Sequence, residues 1–126
     1  MAALVFDAGA LIAIERGDRQ VGALLAAAAM SGVDAVTSSA CVAQAWRDPA
    51  RQARLTRALP GFLERPFDAD AARACGALLG RNASSDIVDG AVALLARRGD
   101  TVLTSDPQDI QQLLNSAGSP ARVRAI

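Results

Sequence analysis

Five short apolar runs separated by helical segments constrain this 126-residue chain more than any other feature. Ala2–Phe6 ends at an Asp and reads as a strand buried on both faces. Val33–Thr37, Phe62–Phe67, Thr101–Thr104 and Ala121–Ile126 read as four more. Between them, Ala10, Leu11 and Ile14 recur at helical spacing within Ala8–Ile14, the Gly17-Asp18 turn ends that segment, and a second helix is expected over Arg19–Met30. Ser38 or Ser39 caps a third helix running through Trp46, Pro49 opens a basic helix to about Leu59, and Pro60-Gly61 breaks the chain. Asp68 caps a helix ending at Gly80, taken as its C′ glycine, and the polar loop Asn82–Ser85 feeds another from Asp86 to Arg98, closed by Gly99. Pro107, at the first helical position, starts the last helix, and the Gly118-Ser119-Pro120 turn returns the chain to a strand. Strands separated by helices need crossover connections. The expectation is therefore an α/β/α sandwich around a central, mainly parallel sheet of about five strands, in a single domain over residues 1–126.

The charged residues narrow the chemistry. All thirteen basic residues are Arg, because the chain has neither Lys nor His, and eleven of the thirteen acids are Asp. Without His there is no imidazole general base, no Ser-His-Asp or Cys-His triad and no His-ligated zinc. Without Lys there is no phosphate-loop lysine and no Schiff base. What remains is carboxylate, guanidinium, hydroxyl, amide and thiol, a set that works most naturally through a hard, oxygen-liking metal ion. Tyr is absent and aromatics make up only 3%, so the core is expected to be aliphatic, and base-stacking modules are disfavoured. Cys41 and Cys75 stand outside any CxxC pattern and read as buried small hydrophobes of a reduced protein. No basic leader precedes the first acid at position 7, and the longest charge-free apolar stretch, Val21–Val33, is too short for a bilayer. A soluble, cytoplasmic chain with no membrane association is expected.

The acids carry the main functional signal. In an open parallel sheet, ligands bind beyond the carboxyl ends of the strands, near the point where strand order reverses. Asp7 follows the first strand and Asp106 the fourth, while Asp86 and Asp89 lie three apart in one helical turn and share a face. Brought together, these carboxylates repel one another and raise one another's pKa values; a bound Mg²⁺ or Mn²⁺ removes the conflict. Such a site suits phosphodiester hydrolysis. Each of Asp7, Asp86 and Asp106 also stands where a helix N-cap is wanted, so capping alone explains any one of them. Asp89 lies inside its helix, on a face that otherwise turns apolar through Val92, Ala93 and Ala96. Asp109, three after Asp106, reads as a solvated first-turn acid or as a further ligand.

The run Leu4-Val-Phe-Asp-Ala-Gly-Ala-Leu-Ile-Ala13 resembles the opening of PIN-domain ribonucleases. The stretches Asp86-Ile-Val-Asp-Gly-Ala-Val-Ala-Leu-Leu-Ala-Arg-Arg-Gly99 and Thr101-Val-Leu-Thr-Ser-Asp-Pro-Gln-Asp109 are similar to that family's C-terminal signature. The order of elements agrees along essentially the whole chain, and the nearest likeness is to the VapC toxins of toxin–antitoxin pairs. This resemblance implies a PIN-like fold and a Mg²⁺- or Mn²⁺-dependent endoribonuclease, with Asp7, Asp89 and Asp106 as catalytic, metal-binding acids and Asp86 as an additional metal-binding acid beside them. It also implies an RNA substrate, a cognate antitoxin that inserts a basic side chain into the acidic pocket, and a homodimer. One position departs from the pattern. The family places a Glu on the helix after the second strand, and Gln44 stands there instead, bringing no charge to a metal. Glu15 lies too far along its helix from Asp7 to replace it.

Candidate substrate contacts are Arg47 and Arg51, which with Arg54 recur at i, i+4 and i+7 as a basic face for an RNA backbone, or as a solvated helix face. Thr104 and Ser105 flank Asp106 and offer hydroxyls to a phosphate or a water, or only to their own turn. Charge is partitioned accordingly: residues 47–65 carry a net +3 and residues 68–109 a net −3. Two rivals remain. A PIN-like module that has lost catalysis with its Glu would bind RNA or a partner without cleaving. A phospho-acceptor receiver domain shares the sheet and the acidic pocket but needs a lysine that this chain lacks.

Overall fold

The computed structural model describes residues 2–126. The strands are β1 (Ala3–Phe6), β2 (Asp34–Ser38), β3 (Leu63–Arg65), β4 (Thr101–Thr104) and β5 (Arg122–Ala125). The helices are α1 (Ala8–Glu15), α2 (Arg19–Met30), α3 (Ser39–Ala45), α4 (Ala53–Ala58), α5 (Ala69–Arg81), α6 (Ile87–Leu95) and α7 (Pro107–Ser116). The strands form one sheet in the order β3-β2-β1-β4-β5, and every neighbouring pair is parallel. The sequence reading expected a mainly parallel sheet. The chain leaves β1 for β2 and β3 on one side and returns to β4 and β5 on the other, so strand order reverses between β1 and β4. A crevice opens at such a reversal.

Helices cover both faces of the sheet, and the core between them is aliphatic as expected. Leu11, Leu55, Leu78, Leu103, Ile110 and Leu114 are fully buried, and Phe6 and Phe62 meet edge to face with centroids 4.9 Å apart. Small residues let helices approach closely. A Cβ on Gly90 of α6 would lie 2.6 Å from the Cys75 Sγ and 3.1 Å from Leu79 on α5, so this crossing tolerates only hydrogen at that position. Cys41 and Cys75 are both free and buried, as expected.

Several boundaries differ from the sequence reading. The basic helix expected from Pro49 begins only at Ala53, and a single 3-10 turn over Leu59–Gly61 follows it. Side-chain hydrogen bonds hold the preceding segment in turns: Asp48 accepts from Ala50 N (3.0 Å), while Gln52 accepts from Arg47 N (2.7 Å) and donates to Ala45 O (2.9 Å). Arg47, Arg51 and Arg54 therefore do not share a helix face. Helix α6 stops at Leu95 and not at Arg98, because Asp100 Oδ2 captures Arg97 N at 2.9 Å and draws the chain into a turn. Helix α5 passes through Gly80 to Arg81, with Ala83, at φ 50, taking the left-handed position assigned to that glycine. Asn82 Nδ2 bonds Leu78 O at 2.8 Å and supports that ending. The third strand is shorter than read, Leu63–Arg65. Among the described residues no helix is long and apolar enough to cross a membrane.

Candidate metal centre

The crevice between β1 and β4 is lined by acids. One carboxylate oxygen from each of Asp7, Asp89 and Asp106 lies within 4.8 Å of the other two. Asp7 leaves β1 into the first turn of α1, Asp106 leaves β4 into α7, and Asp89 projects from the first turn of α6. Asp86 and Gln44 line the same 290 Å³ cavity, with Gly9 and Ser105 also at its wall.

Each acid is held differently, and the differences separate capping from function. Asp7 is almost wholly buried; its Oδ1 accepts from Ala10 N at 2.7 Å and its Oδ2 from Ser105 N at 3.2 Å. It is thus a genuine N-cap of α1 whose second oxygen ties β1 to the β4–α7 loop. Burial raises its pKa against the lowering effect of hydrogen bonds from Thr104, Ala10 and Ser105, and the nearby charge of Asp106 adds to the rise. Asp86 caps α6, its Oδ1 accepting from Asp89 N at 2.9 Å, and stands outside the three-carboxylate cluster while still facing the cavity. Asp106 occupies the N-cap position of α7 without making a side-chain cap bond, so its exposed carboxylate is left to the crevice. Asp89 is buried, and burial pushes its carboxyl up to about 7; the charges of Asp86, Asp106, Asp7 and Asp109 push in the same direction. Among the described residues no basic side chain lines the cavity that these acids share.

The other candidates fall into place around this cluster. Thr104 is fully buried, and its Oγ1 accepts from Asp106 N at 2.8 Å. It cannot reach a substrate, so the substrate-contact reading is corrected: Thr104 shapes the turn that carries Asp106. Ser105 is exposed at the cavity wall. Arg47 lies outside the cavity, its guanidinium donating to Ala43 O (3.0 Å) and Trp46 O (2.7 Å) at the end of α3, and Arg51 pairs with Asp48 at 3.7 Å on the exposed turn. Asp109 is exposed outside the cluster. Glu15 binds Leu55 N through Oε1 at 3.4 Å, away from the crevice.

One contributor had no role assigned from sequence. A Cβ on Gly9 would run into the Ser105 Oγ and lie 3.0 Å from its Cβ, so the missing side chain lets the β4–α7 loop close over α1 and deliver the Ser105 N–H to Asp7. The only signal was the small-residue run Ala8-Gly9-Ala10 immediately after the acid. Beneath the site, Cys41 is buried, and burial pushes its thiol up to about 11, with Asp7 and Asp89 adding to the rise. It is an inert packing group, not a nucleophile.

No family model and no curated protein matches this sequence. Among solved structures, the fold is similar to a chain in the crystal structure of VapBC2 from Rickettsia felis bound to a DNA fragment from their promoter. The TM-score is 0.66 over 98% of both chains, at 13% sequence identity. At that identity the likeness is one of fold: the chain has the PIN-like α/β architecture expected from its motifs.

Proposed function

We infer that this protein is a divalent-metal-dependent endoribonuclease of the PIN type, acting as the toxin of a toxin–antitoxin pair. The observation that carries the reading is the convergence of Asp7, Asp89 and Asp106 at the reversal of strand order, with Asp89 raised first by burial and further by the charges of its neighbours. Three hard carboxylate donors fit Mg²⁺ or Mn²⁺ and disfavour softer ions. Asp7, Asp89 and Asp106 would hold the ion directly, and Asp86 would add negative charge from the cavity wall. Once bound, the ion would lower the pKa of a water for attack on phosphorus and stabilise the leaving oxygen. The protein's own groups do the rest. Asp7 is fixed at both oxygens, so its position is set before substrate arrives. Thr104 holds the Asp106 N–H and with it the loop. The Ser105 hydroxyl stands at the cavity wall to meet a substrate phosphate, and the exposed Arg51 is available to the RNA backbone beyond the pocket.

The resemblance in fold to VapBC2 supports a partner protein for this chain, an antitoxin that places a basic side chain among the same acids; a homodimer belongs to the same reading. The test is cleavage of single-stranded RNA by purified protein in Mn²⁺. Cleavage leaving 5′-phosphate and 3′-hydroxyl ends, abolished by EDTA and reduced about a hundredfold or more in Asp7→Asn and Asp89→Asn, is expected. Activity that persists in EDTA, or is undiminished in both variants, contradicts it. A second reading has its own observation: Gln44 lines the acidic cavity where a charged Glu would complete the donor set. An inactive parent that gains activity as Gln44→Glu would establish a non-catalytic binding module in place of the nuclease.

A further inference from the structure

A 440 Å³ cavity lies over the starts of β1 and β2 and runs along the edge strand β3 as far as Arg65 at that strand's carboxyl end. It exists because α6 ends at Leu95, which leaves this part of the sheet uncovered, and the following turn brings Arg97 and Arg98 to its rim. Arg65 of β3 lines it as well. Asp100, the nearest acid in sequence, has both oxygens engaged by the backbone, Oδ1 with Ala3 N and Oδ2 with Arg97 N, each at 2.9 Å. Among the described residues the one ion pair is Arg51–Asp48, so all three cavity arginines stand without a carboxylate partner, and Asp34 is the other acid in the wall. Leu63 and Leu94, which are 42% and 39% exposed, face the same cavity; among the described residues they are two of the four large hydrophobics that stay exposed. Uncompensated guanidiniums and exposed aliphatic surface therefore coincide in a cavity of small-molecule size.

We propose that this cavity is a nucleotide-binding site, taking the phosphate of a phosphorylated nucleoside on Arg65, Arg97 and Arg98 and its base against Leu63 and Leu94. The guanidinium fork matches phosphate oxygens two at a time, and its flat face also stacks on a ring. Three arginines around one cavity suit a group with several anionic oxygens on one atom, which a carboxylate does not offer. The aliphatic walls suit the flat face of a base. The ligand is either a free nucleotide or a terminal nucleotide of an RNA strand, and the site shares no lining residue with the cavity of the metal centre.

The test is calorimetric titration of the full chain, in EDTA, with AMP and separately with a 5′-phosphorylated single-stranded oligoadenylate. Saturable binding of AMP supports the site with a free nucleotide as ligand; binding of the oligonucleotide alone supports it with RNA as the source. In either case Arg97→Ala and Arg98→Ala weaken binding about tenfold each. Asp34→Ala strengthens it severalfold, a gain that misfolding cannot imitate, and Arg122→Ala on the opposite edge strand leaves it unchanged. No saturable binding of either probe overturns the proposal. So does an equal loss in Arg122→Ala, or binding of polyglutamate where neither nucleotide probe binds.

Discussion

A nearly buried carboxyl surrounded by four other carboxyls is costly to ionise, and Asp89 is in that position. Its pKa lies at about 7 in the folded protein against 3.8 ordinarily, and Asp7 is shifted in the same direction. The folded state therefore binds protons more tightly than the unfolded one. That contribution is fully present below the unfolded pKa and is lost as pH rises through the folded pKa. Without metal, the Tm should fall as pH is raised from about 4 to about 8, and Asp89→Asn should flatten this decline. Thermal melts in EDTA across that range check it, and a wild-type Tm that climbs over the same interval would count against the assigned cluster. Mn²⁺ should raise the Tm more at the alkaline end, because the ion binds the deprotonated acids.

Among the elements, the α5–α6 crossing depends on a single hydrogen atom. Gly90→Ala places a methyl group 2.6 Å from the Cys75 Sγ and should destabilise the protein by about 1–3 kcal/mol, and adding Cys75→Ala should restore part of the loss. Urea titration of the two variants separates this steric account from helix propensity, which alone would make Gly90→Ala more stable than the parent. Local signals were enough for many elements. Arg19–Met30 and Thr101–Thr104 have the bounds read from periodicity, Asp68 caps α5, and Pro107 starts α7. The misread boundaries are those decided by side chains reaching back to the backbone. Gln52 holds the turn before α4, and Asp100 ends α6 while also anchoring the start of β1 at Ala3, 97 residues earlier. No window of neighbouring residues contains that contact. The basic helix face was lost for the same reason, since Pro49 and the Asp48 and Gln52 side chains favour turns where Arg spacing alone suggested a helix.

For the molecule as a whole, the candidate site depends on one topological fact. Acids at the ends of the first and fourth strands were visible in the sequence, but their adjacency follows from β1 pairing directly with β4, in register Phe6 to Leu103. That pairing brings Asp7 and Asp106 to one crevice and lets α6 lay Asp89 between them. The sequence also could not distinguish a capping Asp from a free one: Asp86 is engaged at the start of its helix, whereas Asp106 is not. The charge partition along the chain is not the spatial one: Arg97 and Arg98, from the net-negative segment, join Arg65 about a second cavity that shares no residue with the acidic one. A metal ion bound by the three acids together is what this site requires. Crystals soaked in Mn²⁺ and measured for anomalous scattering should show a peak about 2.0–2.2 Å from carboxylate oxygens of Asp7, Asp89 and Asp106. A fully soaked crystal with no peak in that crevice, or with Mn²⁺ bound only at other acids, would contradict it.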